Sequence, residues 1–201
     1  LVAAVWKDFK TIEEMDPVVN SVAEAKELQE GQYATLKLDE AQVLYAYNDV
    51  IDYAIIRDRS GACQLFGSYL FTEKGLNIKT GDIITGSIPI RMNITGSIQF
   101  ISNKFEPKHF SITGNKAVVP KVVSADEVNS IENDRELVTV ENVEMNGGLD
   151  YLYFSSSDEN QIWVSPIGGL EPEDYEAFLV ATKDIDFNGK KFTLTGIPYR
   201  Q

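Results

Sequence analysis

The 201-residue chain holds one cysteine, Cys63, and one histidine, His109, and this scarcity excludes several chemistries at once. A lone cysteine closes no disulfide within the chain. On its strand Cys63 faces away from Gln64, the place of a small buried apolar side chain. A lone histidine in the connector Pro107-Lys-His-Phe gives histidine-based metal sites, and Ser-His or Cys-His pairs, no consistent spacing. His109 reads as a surface or packing residue. No apolar run reaches the roughly 18 residues that a membrane-spanning helix needs. Neither Gly-x-x-x-x-Gly-Lys nor a strand-linked Gly-x-Gly-x-x-Gly is present to cradle a phosphate.

Positive charge is also short. Lys and Arg number 18 against 31 Asp and Glu, for a formal net charge of −13. Residues 111–201 hold seven basic and sixteen acidic side chains, whereas residues 21–110 hold nine and eleven. The second half therefore repels a phosphate backbone. The basic stripe through which nucleic-acid binders release counterions is missing. Abundant carboxylates do not by themselves make a glycosidase, which needs two of them about 5–9.5 Å apart across a cleft. A solvated acidic surface is the simpler reading, so no catalytic residue and no cofactor is expected. Asp184-Ile-Asp186-Phe-Asn188-Gly189 fills the first, third, fifth and sixth places of a calcium loop. Thr195 stands at the twelfth, where a bidentate Glu belongs, and Lys190 and Lys191 add positive charge. The segment reads as a hairpin turn, and no metal site is expected.

A weak internal repeat organises what is there. Ser21-Val-Ala-Glu24 and Ser124-Ala-Asp-Glu127 both match the S-x-x-E capping box and each opens a short helical stretch. A strand follows each: Gln32 to Tyr45, alternating through Ala41, Val43 and Tyr45, and then Leu137 to Val143. Paired strands come next, Asp52–Arg57 with Ala62–Tyr69, and Asp150–Ser155 with Gln161–Ser165. Turns inside late hairpins are expected at Ile94-Thr-Gly-Ser97 and Phe187-Asn-Gly-Lys190. A helix with Pro172 in its first turn is expected over residues 170–180. The fold class is all-β with short helices, arranged as two consecutive five-stranded Greek-key barrels. A helical arm covers residues 1–20, with Trp6 and Phe9 on one side. The first barrel spans 21–110, a connector 111–123, and the acidic second barrel 124–201.

The segment Tyr53-Ala-Ile-Ile-Arg57-Asp58-Arg-Ser-Gly61-Ala-Cys-Gln64-Leu-Phe66 alternates on both sides of a tight turn. It resembles the strand 2–turn–strand 3 segment of OB-fold domains, in particular the anticodon-binding domain of aspartyl-type tRNA synthetases. The resemblance implies OB-like barrels and puts Tyr53 and Gln64 on a ligand face. Arg57 and Phe66 join them by alternation: an aromatic ring stacks on a planar ligand, while Arg and Gln hydrogen-bond its edge. Cross-strand packing, with Arg57-Asp58 stabilising the turn, is the alternative for the same residues. The second unit lacks the Arg-Asp pair, but Tyr151, Tyr153 and Trp163 offer a second aromatic platform or a lining between units. The chain also resembles the acidic exported or lipid-anchored OB-fold proteins of gut-type bacteria. With Leu rather than Met at position 1, this suggests a processed product, periplasmic or cell-surface, with any lipid anchor upstream. The expectation is a non-enzymatic binding or adaptor protein recognising a protein or an oligosaccharide. The alternative is a single-stranded nucleic-acid binder working through the first barrel.

Overall fold

Sequence-local chemistry sets each start point. The computed structural model describes residues 16–47, 51–68, 77–93, 98–100, 107–147, 152–157, 161–164 and 172–199. At the N-terminal capping box, extended Ser21 accepts from the Glu24 amide at 3.1 Å. The Glu24 carboxylate reaches back to the Asn20 amide at 2.8 Å. Two orphan donors are thus satisfied, and helix α1 (Val22–Lys26) starts there with Val22 and Ala25 buried.

Strand β1 (Val18–Val19) lies parallel to β2 (Tyr33–Tyr47). Then come β3 (Ile51–Asp58), β4 (Gly61–Ser68), β5 (Asp82–Met92), β6 (Ile98–Phe100) and β7 (Phe110–Asn115). β2 pairs with both β3 and β5, β4 with β3 and β6, and β6 with β5. Five strands therefore close in the order β2-β3-β4-β6-β5, antiparallel except for the β4–β6 pair. β2 can serve two neighbours because it bends at a register shift between Leu38 and Ala41, where Glu40 has φ 54. Leu36, Val43, Ile56, Leu65, Ile84, Ile88, Ile90 and Ile98 fill the interior. Each such burial contributes roughly 1.5–3 kcal/mol. β7 adds to the outer edge of β5, and Gly86, with φ +142, admits the close approach of the β7 backbone.

The C-terminal part repeats the plan. β8 (Lys121–Val123) runs parallel to β9 (Val138–Met145), as β1 does to β2. The correspondence keeps one spacing: 18 to 121, 21 to 124, 24 to 127 and 35 to 138 are each 103 positions. β10 (Leu152–Ser155) and β11 (Gln161–Val164) form a hairpin, joined to the end of β9 by the Asn146–Tyr153 bridge. Helix α2 (Pro172–Thr182) leads to β12 (Lys190–Gly196), which pairs antiparallel with β9. Val140, Val143, Met145, Leu152, Phe154 and Phe187 form this unit's core. Among the described residues, no pairing joins β11 to β12.

The all-β class with short helices is what the alternation predicts. Several details differ. The second capping box forms only its carboxylate half, with Glu127 accepting from the Ser124 amide and hydroxyl at 2.8 Å while the Glu127 amide donates to the Ser124 carbonyl at 3.1 Å, and it continues into turns rather than a helix. Phe187-Asn188-Gly189-Lys190 joins no hairpin: it turns the chain from α2 into β12, whose partner is β9. Residues 94–97 lie outside the described residues, although the flanking strands do pair, Met92 opposite Ile98. Residues 110–115 and 121–123 are strands of the two flanking sheets, which leaves 116–120 between them. Of the arm expected over 1–20, residues 1–15 lie outside the described residues, while Val18–Val19 is strand.

Candidate binding face

Strands β2, β3 and β4 carry three cross-strand rows on the face turned away from the barrel core. They are Gln42-Arg57-Ala62, Tyr45-Ile55-Gln64 and Tyr47-Tyr53-Phe66. Tyr53, Arg57, Gln64 and Phe66 therefore share one face, while Ala54, Ile56, Cys63 and Leu65 point into the core. Tyr45 and Tyr47 belong to that face too. Alternation from Ala41 through Val43 puts Tyr45 on the core side. A register shift between Val43 and Tyr45 reverses the parity, so Val43 faces in and Tyr45 out. The signal in sequence was the pair Tyr45-x-Tyr47 itself. The bulge that turns it outward leaves no residue mark.

The face has two ends of different character. At one, Leu44, Ile55 and Ala62 are buried against Val118, Leu137 and Ile197, residues of the connecting and C-terminal segments. Arg57 lies at this end. Its Nη1 donates to Glu136 Oε1 at 3.0 Å, and its Nη2 donates to Gln42 Oε1 at 2.8 Å. Gln42 donates in turn to the Lys116 carbonyl at 3.0 Å. Glu136, itself buried, also accepts from the Leu137 amide at 2.9 Å. The guanidinium is thus neutralised within the chain. At the other end the rings gather: Tyr47 stacks on Tyr53 with centroids 5.4 Å apart and planes 24° apart, and Tyr45 lies 5.8 Å from Tyr53. Tyr53, Gln64 and Phe66 are half-buried.

Asp58 works on the turn and beyond it. Its Oδ1 accepts from the Ser60 amide and hydroxyl and from the Gly61 amide. Its Oδ2 accepts from the Val22 amide at 2.8 Å, the first amide of α1. The Arg-Asp pair therefore ties the hairpin to two other parts of the chain, one through each charge.

On the second hairpin, Tyr153 stands opposite Trp163 with ring centroids 5.4 Å apart, and Trp163 is 62% exposed. Ser155 and Gln161, the next outward pair, adjoin them, while Leu152, Phe154 and Ile162 face the core. Tyr151 lies outside the described residues. No cluster of three or more His, Cys, Asp or Glu suited to a metal occurs among the described residues. In the calcium-like segment, Asp186 accepts from Asn188, and Asn188 Oδ1 accepts from the Gly147 amide at 3.0 Å. Those oxygens serve the turn. His109 is exposed in a 3-10 turn over Pro107–His109. Cys63 is buried, and burial pushes its thiol up to about 12.

No helix among the described residues is long and apolar enough to cross a membrane. Comparison of the sequence with protein-family models and with curated proteins finds no match.

Proposed function

We propose that the chain is a non-enzymatic binding or adaptor protein of the cell envelope. Two OB-like units would recognise a neutral partner, a protein or an oligosaccharide, through their outward aromatic positions. The closed strand order of the first unit and the repeated 103-residue register support the OB-like reading of both. One observation carries the choice of partner. Arg57 is the only charged residue in the three rows of the first face, and Glu136 already neutralises it. What this face offers a ligand is Tyr47, Tyr53 and Phe66 with the Gln64 amide, and the second hairpin offers Tyr153 and Trp163 with Ser155 and Gln161. Rings stack on any flat apolar surface, including the hydrogen-bearing face of a sugar, and amides bond to hydroxyls or backbone groups. A net charge of −13 works against polyanions at long range.

The experiment titrates neutral oligosaccharides, by calorimetry, and labelled single-stranded DNA and RNA, by anisotropy, into wild-type protein, Tyr53→Ala and Trp163→Ala. Oligosaccharide binding that one of the substitutions weakens by about 5- to 150-fold, the range of one lost stacking contact, supports the proposal. Salt-sensitive binding of single strands that Tyr53→Ala abolishes would replace it with the nucleic-acid reading, which the Tyr53-to-Gln64 motif favours. If neither probe binds, a protein is the remaining partner class for these faces.

A further inference from the structure

We propose that Asn146 is a site of self-modification, at which succinimide formation turns the side chain into aspartate or isoaspartate, and that the Asn188 carboxamide guards it. The inference stands whether or not the aromatic faces bind a ligand. It comes from a contact between two like dipeptides. The chain contains two Asn-Gly pairs, Asn146-Gly147 and Asn188-Gly189, and the fold sets them side by side. Asparagine is a thermolabile residue, and most so before glycine, which has no side chain to keep its amide nitrogen from the neighbouring Cγ. The step balances with water as the sole co-reactant. The Gly147 amide gives its proton to water or hydroxide and attacks Asn146 Cγ. The N–Cγ bond forms, the Cγ–Nδ2 bond breaks, and ammonia leaves after taking up a proton. Water then opens the five-membered imide at one carbonyl or the other, giving isoaspartate or aspartate.

The two sites differ in what holds each attacking amide. Gly189 donates to the Met145 carbonyl at 3.1 Å, a main-chain acceptor at the end of β9. The Asn188 carboxamide is engaged as well: Oδ1 accepts from the Gly147 amide at 3.0 Å, and Nδ2 donates to Asp186 at 3.3 Å. Gly147, by contrast, is held by that Oδ1, the tip of an exposed side chain. Exposed side chains change rotamer in ps–ns, whereas freeing Gly189 requires main chain to part from main chain. Among the described residues no hydrogen bond holds the half-buried Asn146 carboxamide away from Gly147. Asn146 is therefore the reactive member of the pair. Its conversion acts on the second hairpin. Asn146 and Tyr153 exchange both main-chain hydrogen bonds, at 2.9 and 3.0 Å, and this bridge ties β10 to the end of β9. Isoaspartate routes the main chain through the former side chain and adds one methylene, which puts the bridge out of register. The hairpin that bears Tyr153 and Trp163 then loses this tie.

The test ages the whole protein in warm, mildly alkaline buffer and follows each asparagine by peptide mapping and mass spectrometry. A synthetic peptide of residues 143–150 gives the unguarded rate. Asn146 should convert before Asn188, and more slowly than in the peptide. Amide hydrogen exchange on fresh protein should be faster at Gly147 than at Gly189, and aged protein should lose protection at the Tyr153 amide. Asn188→Ala should speed Gly147 exchange and Asn146 conversion by the same factor, about 3- to 10-fold, as the loss of one net hydrogen bond implies. Conversion of Asn188 first would overturn the proposal. So would an Asn146 rate in the wild type equal to the peptide's, or one that Asn188→Ala leaves unchanged. A misfolded Asn188→Ala is told apart because exchange would rise throughout β9 and β12. The order of conversion and of amide exchange in the wild type then decides.

Discussion

Replacing Arg57 by Met tests whether its charge serves the chain or a ligand. The guanidinium contacts Glu136 at 3.0 Å and Gln42 at 2.8 Å, and the two charged side chains are 26% and 9% exposed. An exposed pair contributes about 0–1 kcal/mol, whereas removing one partner of a fully buried pair costs roughly 3–5 kcal/mol. This pair falls between, because water reaches part of the guanidinium and little of the carboxylate. Arg57→Met takes the charged partner from Glu136, which keeps the Leu137 amide as a donor, and should cost about 2–3 kcal/mol. Glu136→Gln keeps an acceptor for both donors and should cost about 1 kcal/mol. Urea denaturation of both single variants and the double variant gives the coupling energy, expected at about 1–2 kcal/mol. A coupling below about 0.3 kcal/mol would refute the argument and leave apolar packing of Leu44, Ile55 and Ala62 as what holds this contact. Any ligand bound through Tyr53 should retain its affinity in the folded Arg57→Met protein. A selective loss of binding at unchanged stability would assign Arg57 to the ligand instead.

Three further outcomes follow from the geometry. Gly86→Ala should cost about 3 kcal/mol in urea denaturation: φ is +142, and a Cβ there would meet the His109 carbonyl and lie 2.7 Å from Phe110 Cα. The Cys63 thiol, raised to about 12 by burial, should resist a thiol reagent at about pH 8 until denaturant is added. Its folded value lies above its ordinary value of 9.0, so stability should be full below pH 9.0 and decline as pH rises toward 12. Cys63→Ala should remove that decline. Asp126 and Glu127 are both held below their ordinary values of 3.8 and 4.5, chiefly by the Ser157 and Ser124 amides respectively. Their contribution is present above those values and lost as pH falls through the lower folded values. Asp126→Asn with Glu127→Gln should therefore flatten the acid side of the stability profile below about pH 4.5.

Much of the fold was legible because two local signals, capping boxes and period-two alternation, coincide with its elements. Tyr53 to Phe66 lies as a flat hairpin around Gly61, so every side chain falls on the face that its parity predicts. Parity failed where the ladder gains a residue. Between Val43 and Tyr45 the extra residue turns Tyr45 outward, and nothing in Val43-Leu-Tyr45 announces it. Asn188-Gly189 was legible as a turn, and Gly189 indeed has φ +67. The dipeptide specifies local backbone, though, and not whether the strand that follows returns to its neighbour or crosses to β9. The pairing of Arg57 with Glu136 was beyond reach for a similar reason. A contact over 79 positions depends on how one unit rests on the other, which no local pattern encodes.

The missing Arg-Asp pair in the second unit illustrates why motif loss and fold loss are different things. In the first unit the hairpin carries the carboxylate: Asp58 accepts from the Val22 amide of α1. In the second the capping turn carries it: Asp126 accepts from the Ser157 amide, just past β10, at 2.6 Å. Either arrangement ties the S-x-x-E segment to the hairpin, because a backbone amide is available on both sides and the bond needs one carboxylate on either. The acid could therefore change sides without changing the architecture. With the carboxylate on the capping turn, this tie calls for none on the second hairpin. What stands outward there instead is an aromatic pair with Ser155 and Gln161, all uncharged. The architecture tolerates the exchange, while the face loses its only cation. The difference between the units therefore falls on the outward side chains, and the 103-residue register is common to both.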